Sequence, residues 1–139
     1  MSKQKQKQRE QRRRRRRPVV NTEGRKLSQL ILEFAGDFIQ MGDTQEHRES
    51  LLNAACSAWN IANSSADKRE YQIDEYTQAY IKCNRHADDE EKAGVRHNLE
   101  TLIKKKQQMF PNDHRHILGA HIVSTTAGER VEVASARFD

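Results

Sequence analysis

The residues of this sequence that are best suited to catalysis are two histidines and an arginine that lie close together. The run is Asp113-His114-Arg115-His116, and His121 follows five residues later. Two imidazoles and a guanidinium can act as general base, general acid and phosphate clamp, so a small metal-independent ribonuclease or toxin using His114, Arg115 and His116 is one hypothesis. The spacing favours a polar linker instead, because His114 and His116 share a face only in an extended chain and His121 then falls on the opposite face.

Other catalytic and cofactor signatures are missing from the sequence. The six glycines are scattered and form no phosphate-cradling loop, and no His-Glu-x-x-His occurs. His114-x-His116 supplies two zinc ligands at most. Cys56 and Cys83 form no Cys-x-x-Cys pair and are predicted to be reduced thiols. The sequence therefore predicts a protein that is not an enzyme and that has no cofactor and no metal site.

The chain divides sharply by charge. From Ser2 to Arg17 there are ten Lys or Arg residues and one acid, a net charge of +9, whereas the remaining residues carry fifteen Lys or Arg and nineteen Asp or Glu, a net charge of −4. No apolar residue lies between Met1 and Pro18. Such a segment cannot bury enough surface to offset its ordering entropy, so residues 1–20 are predicted to be a disordered arm, here called the basic arm.

Arginine-rich arms suit polyanions, and the guanidinium fork favours RNA or single strands. It binds two phosphate oxygens at once and stacks on exposed bases. The alternation of Lys and Gln carries no base code, so binding is predicted to be nonspecific. The predicted nucleic-acid-binding residues are Lys3, Lys5, Lys7, Arg9, Arg12, Arg13, Arg14, Arg15, Arg16 and Arg17. A second candidate group, near the end of a predicted helix, is Lys104, Lys105 and Lys106.

A targeting or docking signal is the alternative reading of the basic arm, which would make the chain a protein-interaction module. A membrane partner is not expected, because no Trp, Phe or Leu interleaves with the cations and no apolar stretch approaches the roughly 20 residues of a membrane span. The cationic start also lacks the apolar region of a signal peptide. We expect a soluble cytoplasmic protein, or a nuclear one if its source is eukaryotic or viral.

Residues 21–139 are predicted to form a single compact α+β domain, mainly α, with four helices followed by a C-terminal β-hairpin. Apolar residues recur every three or four positions in each predicted helix and alternate in the hairpin. The predicted helices span about residues 22–41, 44–62, 68–83 and 88–110, and the predicted hairpin spans about residues 117–137.

Several residues within these helices have predicted roles. Asp43 or Thr44 is expected to cap the second helix, and the acids from Asp88 to Glu91 to form the first turn of the fourth. Trp59 is expected to be a core anchor whose indole N–H finds one partner. The tyrosines at three positions of the third helix are expected to be half-buried edge residues, or else a stacking surface for unpaired bases: Tyr71, Tyr76 and Tyr80.

The predicted hairpin needs support, because a lone two-stranded hairpin is marginal in water. Its first strand is predicted to place Leu118, Ala120 and Ile122 on one face. The hairpin must therefore cover the helices, take Val19-Val20 as a third strand, or pair with a second chain to make a dimer.

These features together predict an accessory or assembly subunit. An acidic body weakens binding to a polyanion, so the basic arm is expected to act when the body is already held nearby. The body is expected to dock on a larger protein partner or to self-associate, while the arm binds RNA or single-stranded nucleic acid.

Overall fold

A computed structural model describes residues 25–83 and 88–136, which form four α-helices followed by a two-stranded antiparallel β-hairpin. This confirms the predicted α+β, mainly α, fold class. The basic arm, the predicted helix start at 22–24 and the end of the hairpin at residue 137 lie outside the described residues. The elements are α1 (Leu27–Ile39), α2 (Gln45–Ala62), α3 (Ala66–Cys83), α4 (Asp89–Met109), β1 (His116–Thr125) and β2 (Gly128–Ala136).

Helix α1 buries one face against the rest of the domain, as the three-and-four spacing of its apolar residues predicts. The turn into α2 is tight: a Cβ on Gly42 would lie 2.7 Å from the main-chain nitrogen of Arg48, so glycine is required there. Thr44 caps α2, because its hydroxyl accepts a hydrogen bond from the His47 N–H at 3.0 Å. The buried residues of α1 are Leu27, Leu30, Ile31, Phe34, Ala35 and Ile39.

Helices α3 and α4 begin where polar residues satisfy their first N–H groups. Helix α3 begins at Ala66, two residues earlier than predicted, because the N–H groups of Lys68 and Arg69 donate to the Ser65 carbonyl. Asp88 caps α4 by accepting from the Glu91 N–H at 2.8 Å, and three acids occupy its first turn. The acidic run is thus the start of a helix, as predicted.

The hairpin covers the helices, with β1 packed mainly on α2. The Asn60 side chain pairs with the main chain of Ile117 in both directions: its Nδ2 donates to the carbonyl at 2.9 Å and its Oδ1 accepts from the N–H at 2.8 Å. The two strands join through a two-residue turn followed by Gly128, whose φ of 115° lies in the left-handed region that favours glycine.

The prediction that Leu118 shares a face of β1 with Ala120 and Ile122 is wrong, because Leu118 is 62% exposed whereas Ile122 is buried. Ile117 pairs with Ser135, while Gly119 pairs with the adjacent Ala134, so Leu118 is an extra residue in a β-bulge. The bulge changes which face the following residues occupy, and it lets Ile117 and Ile122 both reach the core despite their odd spacing.

Trp59 lies at the centre of the core with no exposed surface. Its ring packs between those of Phe34 and Phe110, with centroids at 5.7 and 6.0 Å. Its Nε1–H donates to the Arg115 carbonyl at 2.8 Å. Both parts of the prediction for this residue, core burial and one hydrogen-bond partner, are confirmed.

Candidate nucleic-acid interface

All ten cations of the basic arm lie outside the described residues, and the described chain begins at residue 25. Residue 25 is the first described residue, and its carbonyl oxygen accepts a hydrogen bond from Nη1 of Arg115 at 2.9 Å. Arg115 lies in the segment that connects α4 to β1. The first described residue therefore contacts the segment between α4 and β1.

Arg115 is held in place by a buried carboxylate. Its Nη2 and Nε donate to the two oxygens of Asp113 at 2.6 and 3.0 Å, and the Asp113 side chain has no exposed surface. On the main-chain side, the Arg115 carbonyl accepts from the side chains of both Trp59 and Asn63. This paired, hydrogen-bonded arrangement is the form in which a protein tolerates a buried charge.

Lys106 is buried, which separates it from the two lysines that precede it. Its ammonium donates to Asn63 Oδ1 at 2.5 Å and to the Asp113 carbonyl at 2.7 Å, and it lies 4.7 Å from the centroid of the Trp59 ring. Burial lowers its pKa from the ordinary 10.5 to about 8, although the nearby Asp113 charge acts in the opposite direction. Its ammonium is therefore not placed to bind phosphate, unlike the sequence-based expectation for all three lysines.

Lys104 and Lys105 remain at the surface. Lys104 is exposed and Lys105 half-buried, and neither forms an ion pair within residues 25–83 and 88–136. Lys106 links their helical turn through the Asp113 carbonyl to the segment that holds Arg25. Two cations thus lie at the surface near the end of α4.

Several arginines of the described body are paired with acids. Arg96 pairs with three carboxylates, those of Glu70, Asp74 and Glu100. Arg48 pairs with Glu129 across 81 residues of sequence. Paired guanidiniums present little net charge, so the charge available to a polyanion is concentrated in the basic arm.

The candidate ribonuclease residues have different surroundings. His114 is exposed, His116 is half-buried at the start of β1, and Arg115 is engaged by Asp113 and by the main-chain carbonyl of Arg25. The Nε2 atom of His121 lies 3.5 Å from Glu132 on the neighbouring strand. The guanidinium that the ribonuclease hypothesis needs as a phosphate clamp therefore performs a structural task.

Sequence reasoning located some aromatic and thiol groups correctly. Tyr76 and Tyr80 are half-buried, as predicted, whereas Tyr71 is 65% exposed. Cys56 and Cys83 are both free thiols. Burial raises the pKa of Cys56 to about 12, so this thiol is unreactive at neutral pH.

Comparison of the chain with models of protein families, with curated proteins and with solved structures found no match. Across residues 25–83 and 88–136, no three His, Cys, Asp or Glu side chains are grouped as a metal ion would require. In the same part of the chain, no helix combines the length and apolar character needed to cross a membrane.

Proposed function

We propose that this protein is an accessory or assembly subunit that binds RNA or other single-stranded nucleic acid through the basic arm, with little sequence preference. The observation that carries the proposal is the division of charge, +9 in residues 2–17 and −4 in the remainder. Ten cations within sixteen residues, six of them consecutive arginines, neutralise phosphates and release condensed counterions, which is the main source of nonspecific affinity.

In this proposal the body serves mainly to position the basic arm and adds little positive charge of its own. Arg115 holds the first described residue, which follows the basic arm in sequence, and Lys104 and Lys105 lie at the surface near the end of α4. We expect these two lysines to extend the binding surface of the arm onto the body. An acidic body repels a polyanion at longer range, so it favours nucleic acid that a larger protein partner, or a second copy of this chain, already holds nearby.

The test is the affinity for fluorescently labelled single-stranded RNA, measured by anisotropy over a series of salt concentrations. The full-length protein should lose affinity steeply with salt, with a log–log slope of up to about −7 if all ten arm cations engage. Deleting residues 2–17 should remove most of the affinity and of the slope. An unchanged affinity in the truncated protein overturns the proposal and favours the protein-interaction alternative.

Two further variants separate charge from the guanidinium fork. Replacing Arg12 to Arg17 by lysine keeps the charge, so the slope should persist while affinity falls through loss of bidentate contacts and stacking. Replacing the same six arginines by glutamine should reduce the magnitude of the negative log–log slope by about 4. Gel analysis of the RNA after incubation addresses the ribonuclease alternative: the proposal expects intact RNA, and cleavage abolished by H114A/H116A would favour an enzyme.

A further inference from the structure

An open cleft of about 380 Å³ lies between α2, α3 and the first residue of β1. Its volume falls within the range of small-molecule sites. Polar and aromatic side chains dominate its lining, in contrast to the apolar core beside it. The lining residues are Ser57, Asn60, Ile61, Ser64, Gln72, Glu75, Tyr76 and His116.

The α2 wall of the cleft is held rigidly. The NH2 group and the oxygen of the Asn60 side-chain amide both form hydrogen bonds with the main chain of Ile117. The Ser64 hydroxyl donates to the main-chain carbonyl of Asn60 at 3.3 Å. These bonds tie α2 to the start of β1, so this side of the cleft is formed before any ligand arrives.

Gln72, on the α3 side, has an unmet hydrogen-bonding group. Its Oε1 atom is buried and has no hydrogen-bond partner within the described residues. Leaving a buried acceptor unpaired is destabilising, so such groups call for an explanation. Because Gln72 lines the cleft, we infer that a rotation of its terminal amide on binding lets this oxygen accept from an N–H donor on a ligand.

The neighbouring side chains restrict the kind of ligand further. Tyr76 is half-buried and lines the cleft, so its ring offers a face for stacking a flat group. Glu75 is exposed at the same cleft. Its carboxylate accepts hydrogen bonds from N–H groups and repels phosphate, so a neutral ring with amino donors fits better than a charged backbone.

We propose that this cleft holds one unpaired nucleobase that carries an exocyclic amino group, stacked on Tyr76 and donating to Gln72 Oε1. The inference rests on the proposed function, because the base would belong to a strand whose phosphates the basic arm binds. The location supports this connection: His116 lines the cleft, and the adjacent Arg115 holds Arg25, the first described residue after the arm in sequence.

Adenine and unsubstituted purine provide a matched pair for the test, because they share the ring and differ only in the exocyclic amino group. Binding of oligoadenosine and of an oligonucleotide of purine riboside of equal length should be compared by fluorescence anisotropy at one salt concentration. The wild-type protein should bind oligoadenosine about tenfold more tightly. Q72L should abolish this preference without loss of thermal stability, since the removed oxygen has no partner in the fold.

Tyr76→Leu should weaken binding of both oligonucleotides by about tenfold through loss of stacking. Gln78→Leu is its control, because Gln78 is exposed on the same helix and does not line the cleft. Equal binding of the two oligonucleotides by wild type, or a preference that survives in Q72L, overturns the base-binding inference and leaves the arm function intact. Failure of wild type to bind either one overturns the proposed function itself.

Discussion

The guanidinium of Arg115 donates to the main-chain carbonyl of Arg25 across 90 residues of sequence, with 2.9 Å between the two atoms. The same guanidinium forms two hydrogen bonds with Asp113, a carboxylate that has no exposed surface. One residue thus neutralises a buried acid and fixes the point at which the chain enters the body. The arginine best placed in sequence for phosphate chemistry is committed to folding.

Removal of the Arg115 side chain should destabilise the protein strongly. Arg115→Ala leaves the Asp113 carboxylate buried without its cation, and breaking a buried pair in this way typically costs about 3–5 kcal/mol. The free energy of unfolding can be measured by urea denaturation with Trp59 fluorescence as the signal. Arg115→Ala should lower the denaturation midpoint markedly.

The matched control for this prediction is Arg130→Ala. Arg130 pairs with Glu132 at 2.6 Å, but its side chain is 66% exposed, and surface pairs contribute about 0–1 kcal/mol. If the two variants lose similar stability, the Arg115–Asp113 pair does not have the structural role assigned to it.

The helices could be predicted because local sequence carries their signals. The apolar residues of α1 recur every three or four positions and become its buried face. Thr44 and Asp88 occupy capping positions and make the expected hydrogen bonds. Trp59 was identifiable as a core residue because alanines surround it on one helical face.

The features that sequence reasoning missed depend on tertiary contacts. A bulge at Leu118 has no signature in an alternating strand, because the extra residue is set by the pairing with β2. The cleft polar groups, such as Gln72, are brought together by three separate elements.

The burial of Lys106 could have been predicted from the sequence, although the two adjacent lysines obscure the pattern. The three consecutive lysines resemble a solvated helix end, yet Lys106 lies in phase with the buried Leu99, Leu102 and Ile103. Helical periodicity alone would therefore have placed it inside.

Burial of Lys106 should make stability depend on pH. Its folded pKa of about 8 lies below the ordinary 10.5, so between these values the unfolded chain binds more protons. The stability that the fold gains when Lys106 is neutral is therefore fully present above about pH 10.5 and is lost as the pH falls through 8. We expect wild type to gain roughly 2 kcal/mol relative to Lys106→Met between pH 7 and pH 10.

Urea denaturation of both proteins at the two pH values measures this difference. Comparing with Lys106→Met removes the shared effects of tyrosines and of Cys56, which titrate in both proteins. A stability difference that stays constant with pH would mean that Lys106 keeps its ordinary pKa in the folded state.

Lys104 and Lys105 should contribute to nucleic-acid binding in the full-length protein. They lie near the same end of α4 as the contact between Lys106 and the Asp113 carbonyl, so we expect a strand bound by the basic arm to reach them. Lys104→Gln with Lys105→Gln should reduce the magnitude of the log–log salt slope for single-stranded RNA by about 1.4, since each phosphate contact contributes roughly 0.7. The folding stability should be unchanged, because neither lysine forms an ion pair within the described residues.

The charge-matched control is Lys82→Gln with Lys92→Gln. Lys92 lies near the opposite end of α4, about 18 Å from Lys104 at 1.5 Å per residue, which exceeds the Debye length of roughly 10 Å. A general effect of net charge would therefore lower the affinity similarly in both double variants, whereas a local contact near the arm would affect only the Lys104 and Lys105 pair. Equal loss in the two proteins would show that the body acts on the polyanion through its overall charge, and the interface would then be confined to the basic arm.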